Sequence, residues 1–321
     1  MIRIAVLDDY QHVALTLADW SRLGPDADIT VFDRNLGPDE AADALAGSDV
    51  VCLMRERMPV PRALIERLPD LRLIVVTGAH NRTLDLEAAA ERGIVVSHTR
   101  GGESQYATPE LAWALILACA RHLPEEDRRM RQGGWQETIG MALHGKALGI
   151  LGLGRLGSRM ASIGRAFGME LLAWSQNLTA ERAEAAGARL VAKDELFARA
   201  DVVTIHLVLG ARSRGLVGAA ELGLMKPSAI LINTSRGPIV DEAALVEALR
   251  TNRIRAAGLD VYDEEPLPPE HPLRRLDNVV LSPHLGYVTE GTYRMFYEDT
   301  VEAVAAWRAG APVRVLAPAK A

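Results

Sequence analysis

Three short phrases in the second half of the chain carry side chains suited to acid–base chemistry. Arg236 stands in Asn-Thr-Ser-Arg-Gly-Pro, Glu265 in Asp-Val-Tyr-Asp-Glu-Glu-Pro and His284 in Ser-Pro-His-Leu-Gly. An imidazole titrates near neutral pH and can move a proton, while a carboxylate can orient it and favour its protonated form. A guanidinium binds a carboxylate through two parallel hydrogen bonds. Alone, Arg236 could be a surface ion pair and His284 a core or capping residue, but together the phrases predict a catalytic set.

A glycine-rich turn precedes these phrases, between a short apolar run and a helical pattern. It reads Gly152, Leu153, Gly154, Arg155, Leu156 and Gly157. Gly152 permits a tight turn, Gly154 lets backbone amides approach a pyrophosphate, and Gly157 lets the helix pack close to the strand. A purely structural turn can also carry three glycines, but the flanking strand and helix are the context that a dinucleotide site requires. A dinucleotide beside a cation, a carboxylate and an imidazole predicts hydride transfer involving a 2-oxo acid.

The choice of dinucleotide depends on the end of the next predicted strand, where Ser175 stands. An acidic residue at this point usually accepts hydrogen bonds from the ribose hydroxyls of NAD. Ser175 cannot repel a 2′-phosphate, and the nearest following cation is Arg182. The sequence therefore predicts NAD or NADP, with NADPH more acceptable than it would be beside an aspartate.

The composition is that of a globular protein of more than one domain. The 321 residues include 24% charged side chains and carry a net charge of −6, which argues against a nucleic-acid partner. No run approaches the ~18 apolar residues of a membrane span, so no membrane partner and a cytoplasmic location are expected. Cys52 and Cys119 lie in apolar runs and are expected to be buried hydrophobes. The eight histidines show no metal-ligand spacing, so no metal is predicted.

Short apolar runs alternate with helical patterns in two series, which predicts two α/β units with doubly wound parallel sheets and a cofactor–substrate cleft between them. The first series comprises residues 2–7, 28–32, 50–54, 73–77 and 95–97. The second comprises residues 147–151, 171–174, 202–206, 229–233, 256–259 and 279–281. A final helical pattern follows His284 and is too short for a domain. We therefore predict a substrate domain of residues 1–98 plus 288–321, and a dinucleotide-binding domain of residues 99–287.

With these motifs, the chain resembles the D-isomer-specific 2-hydroxyacid dehydrogenases, a family that includes phosphoglycerate, glycerate and D-lactate dehydrogenases and hydroxypyruvate and glyoxylate reductases. The resemblance covers almost the whole chain and rests on the glycine turn and the three phrases. It implies that Arg236 binds the substrate, that Glu265 orients the histidine, and that His284 carries the proton.

The resemblance also implies further contacts. Asp260 would meet the carboxamide of nicotinamide, unless it is only a cap at a strand end. Thr108, Leu207 and Thr234 would line the cofactor site. Arg55 would reach the substrate, unless it is a solvated loop charge, and the amides of Gly78 and Ala79 would bind its carboxylate. The chain departs from the family pattern at Ala79, His80, Val208 and Gly210.

Two further expectations concern partners and competing functions. A homodimer is expected from the resemblance and from apolar surface in residues 109–120 and 131–144. A dinucleotide-sensing binding protein, like the corepressors that share this fold and triad, remains the alternative to an enzyme. A formate dehydrogenase is disfavoured because those enzymes carry glutamine in place of the histidine-orienting acid, and a structural scaffold would not need all three catalytic side chains. The natural 2-hydroxy acid and the physiological direction stay open.

Overall fold

The computed structural model describes residues 1–318 and divides the chain into two compact units. Unit 1 comprises Met1–Glu103 together with the segment that starts at Thr289, and unit 2 is Ser104–Val288. The first unit is therefore discontinuous and the second is inserted into it. The chain leaves unit 1 after residue 103 and returns at residue 289. The sequence analysis placed these two boundaries after residues 98 and 287.

Unit 1 is built on a parallel sheet. Its strands within the described residues are β1 (Ile2–Val6), β2 (Ala27–Val31), β3 (Val50–Leu53), β4 (Leu73–Val76) and β5 (Val95–His98), in the order β2-β1-β3-β4-β5. Every residue of β3 and β4 is buried, whereas the edge strand β2 alternates between exposed and partly buried positions. Central parallel strands are covered on both faces, and this explains their continuous apolar sequences.

Helices cover the sheet of unit 1. They are α1 (Ala14–Leu17), α2 (Pro38–Ala44), α3 (Arg62–Glu66), α4 (Leu86–Glu91) and the C-terminal α12 (Glu290–Arg308), with a 3₁₀ turn at Trp20–Leu23. The last helix begins where the Thr289 side chain accepts a hydrogen bond from the backbone N–H of Thr292, a standard N-cap. It packs against β4 and β5, so the C-terminal helical pattern belongs to unit 1.

Unit 2 contains a larger parallel sheet. Its strands are β6 (Ala147–Leu151), β7 (Glu170–Trp174), β8 (Arg189–Leu190), β9 (Val202–Ile205), β10 (Ile230–Asn233), β11 (Ala256–Leu259) and β12 (Val279–Leu281), in the order β12-β11-β10-β9-β6-β7-β8. Alternate residues of β6 face two separate apolar clusters, with Leu148 and Ile150 in one and Leu151 in the other. The sequence predicted six of these strands and missed β8. This two-residue edge strand pairs only with β7 and has no buried run to reveal it.

The helices of unit 2 are α5 (Ser104–Arg121), α6 (Leu123–Arg131), α7 (Arg155–Ala166), α8 (Ala180–Ala185), α9 (Lys193–Arg199), α10 (Ala219–Leu224) and α11 (Glu242–Arg250). The apolar helix α5 lies against α7, β10 and β11, and buries Trp113, Ile116 and Cys119 in the core. Most of the apolar surface expected at residues 109–120 is therefore covered inside its own unit.

The described residues form neither a membrane-spanning helix nor a metal-binding cluster. Within residues 1–318, no helix is both long enough and apolar enough to cross a bilayer. Over the same described part of the chain, no group of three or more His, Cys, Asp or Glu side chains is arranged to hold a metal ion.

Candidate active site

The sheet of unit 2 has a topological switch point at β6. The chain adds β7 and β8 on one side of β6, and then β9 to β12 on the other. In open parallel sheets, ligands bind outside the carboxyl ends of the strands at such a point. The glycine-rich turn leaves β6 there, and α7 begins at Arg155.

The three glycines of the turn occupy positions with different steric requirements. Gly152 has φ +97°, and a Cβ on it would lie 2.5 Å from the carbonyl oxygen of His206. A Cβ on Gly157 would lie 2.0 Å from the carbonyl oxygen of Gly152, so only glycine lets the helix approach so closely. A Cβ on Gly154 would meet nothing within 4 Å. The open space at Gly154 fits the approach of a pyrophosphate to the N-terminus of α7.

The end of β7 is tied to this turn. The backbone N–H of Gly152 donates to the carbonyl oxygen of Trp174 at 2.8 Å, which places Ser175 beside the glycine turn. Ser175 is half-buried, and its carbonyl oxygen accepts from Leu178. Arg182 lies one turn into α8, where its backbone N–H bonds to the capping hydroxyl of Thr179.

His284 and Glu265 form a close pair. Nδ1 of His284 lies 2.5 Å from Oε2 of Glu265, and Oε1 of the same carboxylate accepts from the backbone N–H of Tyr262 at 2.9 Å. Partial burial alone would raise the pKa of Glu265. The hydrogen bond and charge of His284, the Tyr262 N–H and the positive charge of Arg236 instead hold that pKa below its usual value. The carboxylate of Glu265 is thus charged at neutral pH.

Arg236 stands after β10, beside this pair. Its backbone is fixed by Asn233, whose Nδ2 donates to the Arg236 carbonyl oxygen at 2.9 Å, and its Nη1 donates to the Ser235 carbonyl oxygen at 2.7 Å. Its charge is close enough to lower the pKa of Glu265. The three phrases therefore bring a cation, a carboxylate and an imidazole to one edge of the unit 2 sheet.

His284 has a left-handed backbone, with φ +57°. Residues other than glycine take this conformation rarely, and such strain persists where the surroundings enforce it, often at functional sites. The enforcing group here is the carboxylate of Asp260, which is fully buried. Its Oδ1 accepts from the backbone N–H of Leu285 at 2.7 Å, and its Oδ2 from that of Gly286 at 2.9 Å.

Asp260 thus serves the histidine loop. The Ser282 hydroxyl also donates to its Oδ1 at 2.6 Å, and burial raises the pKa of Asp260 against these hydrogen bonds. The sequence analysis assigned Asp260 a contact with nicotinamide and gave a strand-end cap as the alternative. Both oxygens accept hydrogen bonds from the loop that follows β12, and the contact with nicotinamide stays a prediction. Thr108 bonds to the same loop, since its hydroxyl donates to the Gly286 carbonyl oxygen at 2.7 Å.

Two other residues of this edge have buried polar atoms without a hydrogen-bond partner in the described part of the chain. The hydroxyl of Thr234 is one and Nδ1 of His206 is the other, while Leu207 next to it is half-buried. Burial lowers the pKa of His206 to about 4, and its Nε2 lies 2.8 Å from the Thr204 hydroxyl. The sequence analysis did not single out His206, although its place directly after β9 was a signal. Three features together fit a bound dinucleotide: the buried Thr234 hydroxyl without a hydrogen-bond partner among the described residues, the open space beside Gly154, and the close approach of the helix to the strand at Gly157.

In unit 1, Arg55 follows β3 and also has a left-handed backbone, with φ +54°. Its Nη1 donates to the Thr77 carbonyl oxygen at 3.2 Å and lies over Gly78, where a Cβ would come within 1.5 Å of it. The backbone N–H of Gly78, which the sequence analysis assigned to the substrate carboxylate, donates to the Thr99 hydroxyl at 2.7 Å. Ala79 is exposed next to it.

The chain was next compared with known proteins. A family model described as "D-isomer specific 2-hydroxyacid dehydrogenase, NAD binding domain" matches residues 113–286. A glyoxylate reductase of Aeropyrum pernix is 44% identical over 238 residues, which cover 71% of each chain. The chain belongs to the D-isomer-specific 2-hydroxyacid dehydrogenase family.

Other members of this family agree with that assignment. A D-3-phosphoglycerate dehydrogenase of Archaeoglobus fulgidus is 38% identical over 82% of this chain, which spans about half (50%) of that longer protein. The crystal structure of a phosphoglycerate oxidoreductase from Vibrio cholerae O395 has a TM-score of 0.90 and 36% identity, covering 97% of this chain and 100% of the other. The predicted family and the predicted class, two doubly wound parallel α/β units, are confirmed.

Proposed function

We propose that this family member is an NAD(P)-dependent oxidoreductase that interconverts a D-2-hydroxy acid and the corresponding 2-oxo acid. The observation that carries the proposal is the His284–Glu265 pair beside Arg236, at the edge of the sheet whose switch point bears the glycine turn. Relatives named glyoxylate reductase and D-3-phosphoglycerate dehydrogenase act on small acids of this class. This supports glyoxylate and other short 2-oxo acids as first candidates for the substrate.

In the reducing direction, each side chain has one task. Glu265 contacts Nδ1 of His284 and orients the ring, so that Nε2 can donate a proton to the substrate carbonyl oxygen. Arg236 binds the substrate carboxylate through its planar fork and polarises the adjacent carbonyl. When bound, a reduced dinucleotide would provide the hydride for carbon C2 of the substrate. In the oxidising direction, neutral His284 accepts the hydroxyl proton.

We further propose that Arg55 and the amide of Ala79 in unit 1 contribute to binding of the substrate anion. Gly78 then acts chiefly by leaving room for the Arg55 guanidinium, since no Cβ fits beneath it. For the dinucleotide, the turn from Gly152 to Gly157 would hold the pyrophosphate. The Thr234 hydroxyl, the Leu207 side chain, the Thr108 region and Ser175 would meet the rest of the cofactor.

Turnover of a panel of 2-oxo acids tests the proposal. Glyoxylate, hydroxypyruvate and pyruvate are offered with NADH and with NADPH, and oxidation of D-2-hydroxy acids, including D-3-phosphoglycerate, is followed in the reverse direction. We expect reduction of at least one short 2-oxo acid. Tight dinucleotide binding without turnover of any acid would instead favour the alternative function, a dinucleotide-sensing binding protein.

For the cofactor, we propose that NADPH is accepted as well as NADH because Ser175 leaves room for a 2′-phosphate without charge repulsion. Ser175→Asp should raise the KM for NADPH at least ~10-fold and leave the KM for NADH within about threefold, since a carboxylate there repels a phosphate but accepts from ribose hydroxyls. Ser175→Ala is the matched control, which removes the hydroxyl without adding charge. Equal effects of Ser175→Asp on both cofactors would show that this side chain does not face the ribose.

We also propose a homodimer, formed through the α6 region of unit 2. Large apolar side chains there are exposed to solvent, namely Leu123 (61%), Met130 (62%), Trp135 (72%) and Ile139 (89%). Clustered apolar exposure of this kind marks interaction surfaces, and closed twofold pairs are the most common assemblies of a single chain. The family resemblance also favours a second copy of this chain as the partner that covers this surface.

The dimer prediction is tested by sedimentation at micromolar concentration. We expect the wild type to sediment as a species of twice the 34.8 kDa chain mass, and the double variant Trp135→Glu, Ile139→Lys to sediment as a monomer, because buried charges oppose an apolar interface. Leu15→Lys is the control, since Leu15 is 53% exposed but lies in unit 1. A wild type that remains monomeric, or a Leu15→Lys variant that dissociates equally, would contradict the proposal.

A further inference from the structure

Two neighbouring strands of unit 1 end in residues with left-handed backbones. Asp8 follows β1 with φ +59°, and Arg55 follows β3 with φ +54°. The two strands are adjacent in the sheet, where Val6 pairs with Cys52. A left-handed conformation is uncommon outside glycine, and its occurrence at both strand ends shows that the surroundings of this edge enforce an unfavourable geometry.

Asp8 is a buried carboxyl group at this edge. Its residue is 1% exposed, and its Oδ1 accepts from the Tyr10 hydroxyl at 3.1 Å and from Asn35 Nδ2 at 3.4 Å. Oδ2 is buried and has no hydrogen-bond partner among the described residues. Burial raises the pKa of Asp8 in opposition to the attraction of Arg57. Burying a carboxyl group costs stability, so its presence here calls for a reason other than core packing.

The network around Asp8 reaches the segment that carries Arg55. Asn35 Nδ2 donates to the Arg57 carbonyl oxygen at 3.3 Å as well as to Asp8. The Arg57 side chain also contacts the end of β1. Its Nη1 donates to the Asp8 carbonyl oxygen at 2.7 Å, and its guanidinium lies 4.7 Å from the centre of the Tyr10 ring. The backbone and the side chain of Arg57 are therefore both fixed to the end of β1.

The opposite side of the same segment is fixed to β4. The backbone N–H of Arg55 donates to the Thr77 hydroxyl at 2.7 Å, and its carbonyl oxygen accepts from Asn81 Nδ2 at 2.8 Å. Residues 54–57 are thus held between two sets of polar contacts, one at the end of β1 and one at the end of β4. Arg55 has an unfavourable left-handed backbone within this segment, and its guanidinium lies over Gly78.

We propose that Asp8, acting through Asn35 and Arg57, is a positioning residue that holds Arg55 in the orientation that binds the substrate anion. The inference rests on the proposed function, because it presumes that Arg55 binds a 2-oxo acid. Asp8 itself contacts neither substrate nor cofactor in this account. A purely structural role for the same network would lower thermal stability without a selective effect on substrate binding.

The test is a double-mutant cycle in the full-length enzyme. Asn35→Ala removes the bridge between Asp8 and Arg57 without changing charge, and Asp8→Gly removes the carboxyl group while tolerating the left-handed backbone. We expect each to raise the KM for the 2-oxo acid ~3–10-fold, the range for loss of one or two hydrogen bonds, with kcat and the KM for the dinucleotide nearly unchanged. Asp8→Asn, which keeps an accepting oxygen and suits this backbone, should restore most of the loss.

Arg55→Ala supplies the second arm of the cycle. In that background, Asn35→Ala should change the KM for the 2-oxo acid by less than about twofold, because its effect passes through a side chain that is no longer present. Thr300→Val is the matched control. It removes a buried hydrogen bond of unit 1, from the Thr300 hydroxyl to the Phe296 carbonyl oxygen at 2.7 Å, with almost no change in side-chain size, and it should leave the KM unchanged.

The contrary outcomes distinguish a failure of this inference from a failure of the proposed function. Effects of Asn35→Ala and Arg55→Ala that multiply independently would overturn the inference while leaving the proposed function intact. So would an equal effect of Thr300→Val. An Arg55→Ala enzyme with an unaltered KM would overturn the inference as well, and would remove Arg55 from the proposed substrate site while leaving the proposed reaction intact. A wild type that turns over no 2-oxo acid with either dinucleotide would overturn the proposed function and this inference with it. If Asp8→Gly does not fold, Asn35→Ala alone completes the cycle.

Discussion

Replacing His284 by alanine should lower the turnover number for 2-oxo acid reduction by about 10²–10⁴-fold, the usual contribution of general acid catalysis. Because Nδ1 pairs with Glu265 at 2.5 Å, Nε2 is the nitrogen that would contact the substrate in the proposed reaction. Dinucleotide binding should survive, because the glycine turn lies on a different strand end. The measurement is steady-state reduction beside a calorimetric titration with the dinucleotide.

Two further variants make the His284 result interpretable. His284→Asn tolerates the left-handed backbone at φ +57° better than alanine does, and it should be as inactive as His284→Ala if the proton is what matters. His271→Ala is the matched control, since His271 also pairs with a glutamate, at 2.9 Å from Glu242, but caps a 3₁₀ turn instead. Near-full activity of either His284 variant would refute the mechanism.

Replacing Glu265 by glutamine should lower kcat for 2-oxo acid reduction about 10-fold or more, a part of the ~10²–10⁴-fold that general acid catalysis contributes. Oε2 of Glu265 lies 2.5 Å from Nδ1 of His284 and orients the ring. Burial raises the pKa of Glu265, but His284, the Tyr262 N–H and Arg236 together hold it below its usual value, so the carboxylate is charged across the neutral range. Glutamine keeps the size of the side chain and removes that charge.

The control for this loss is Glu264→Gln. Glu264 is the adjacent carboxylate and is exposed, so its replacement removes the same formal charge without touching the histidine. An unchanged kcat in Glu265→Gln would show that Glu265 does not support His284 in the reaction. An equal loss of kcat in Glu264→Gln would assign the effect to general surface charge.

Much of the fold could be predicted because both sheets are parallel and buried on both faces. Runs such as those of β3, β4 and β6 are apolar throughout, and the glycine turn has its strand and helix on either side. The short edge strand β8 lacked such a run. The apolar helix α5 was recognised, but a single sequence does not say that its apolar faces lie against strands more than a hundred residues away.

The site was predictable in its residue types and less so in its contacts. The three phrases identified Arg236, Glu265 and His284 because each is locally distinctive. The bonds from Asp260 to the amides of Leu285 and Gly286 span about 25 residues, and that from Gly78 to Thr99 spans 21. Such pairings depend on which strand ends become neighbours, and no local pattern records them.

The anchoring of the His284 loop by one carboxylate has a consequence for how this enzyme can diversify. Asp260 grips main-chain N–H groups, and every amino acid except proline offers one at position 285. The side chain of Leu285 can therefore be exchanged while the proton donor keeps its place. Gly286 is not free in this way, since a Cβ there would crowd Asp260 Oδ2 at 3.1 Å. Position 285 can thus vary in sequence without displacing the loop that carries His284.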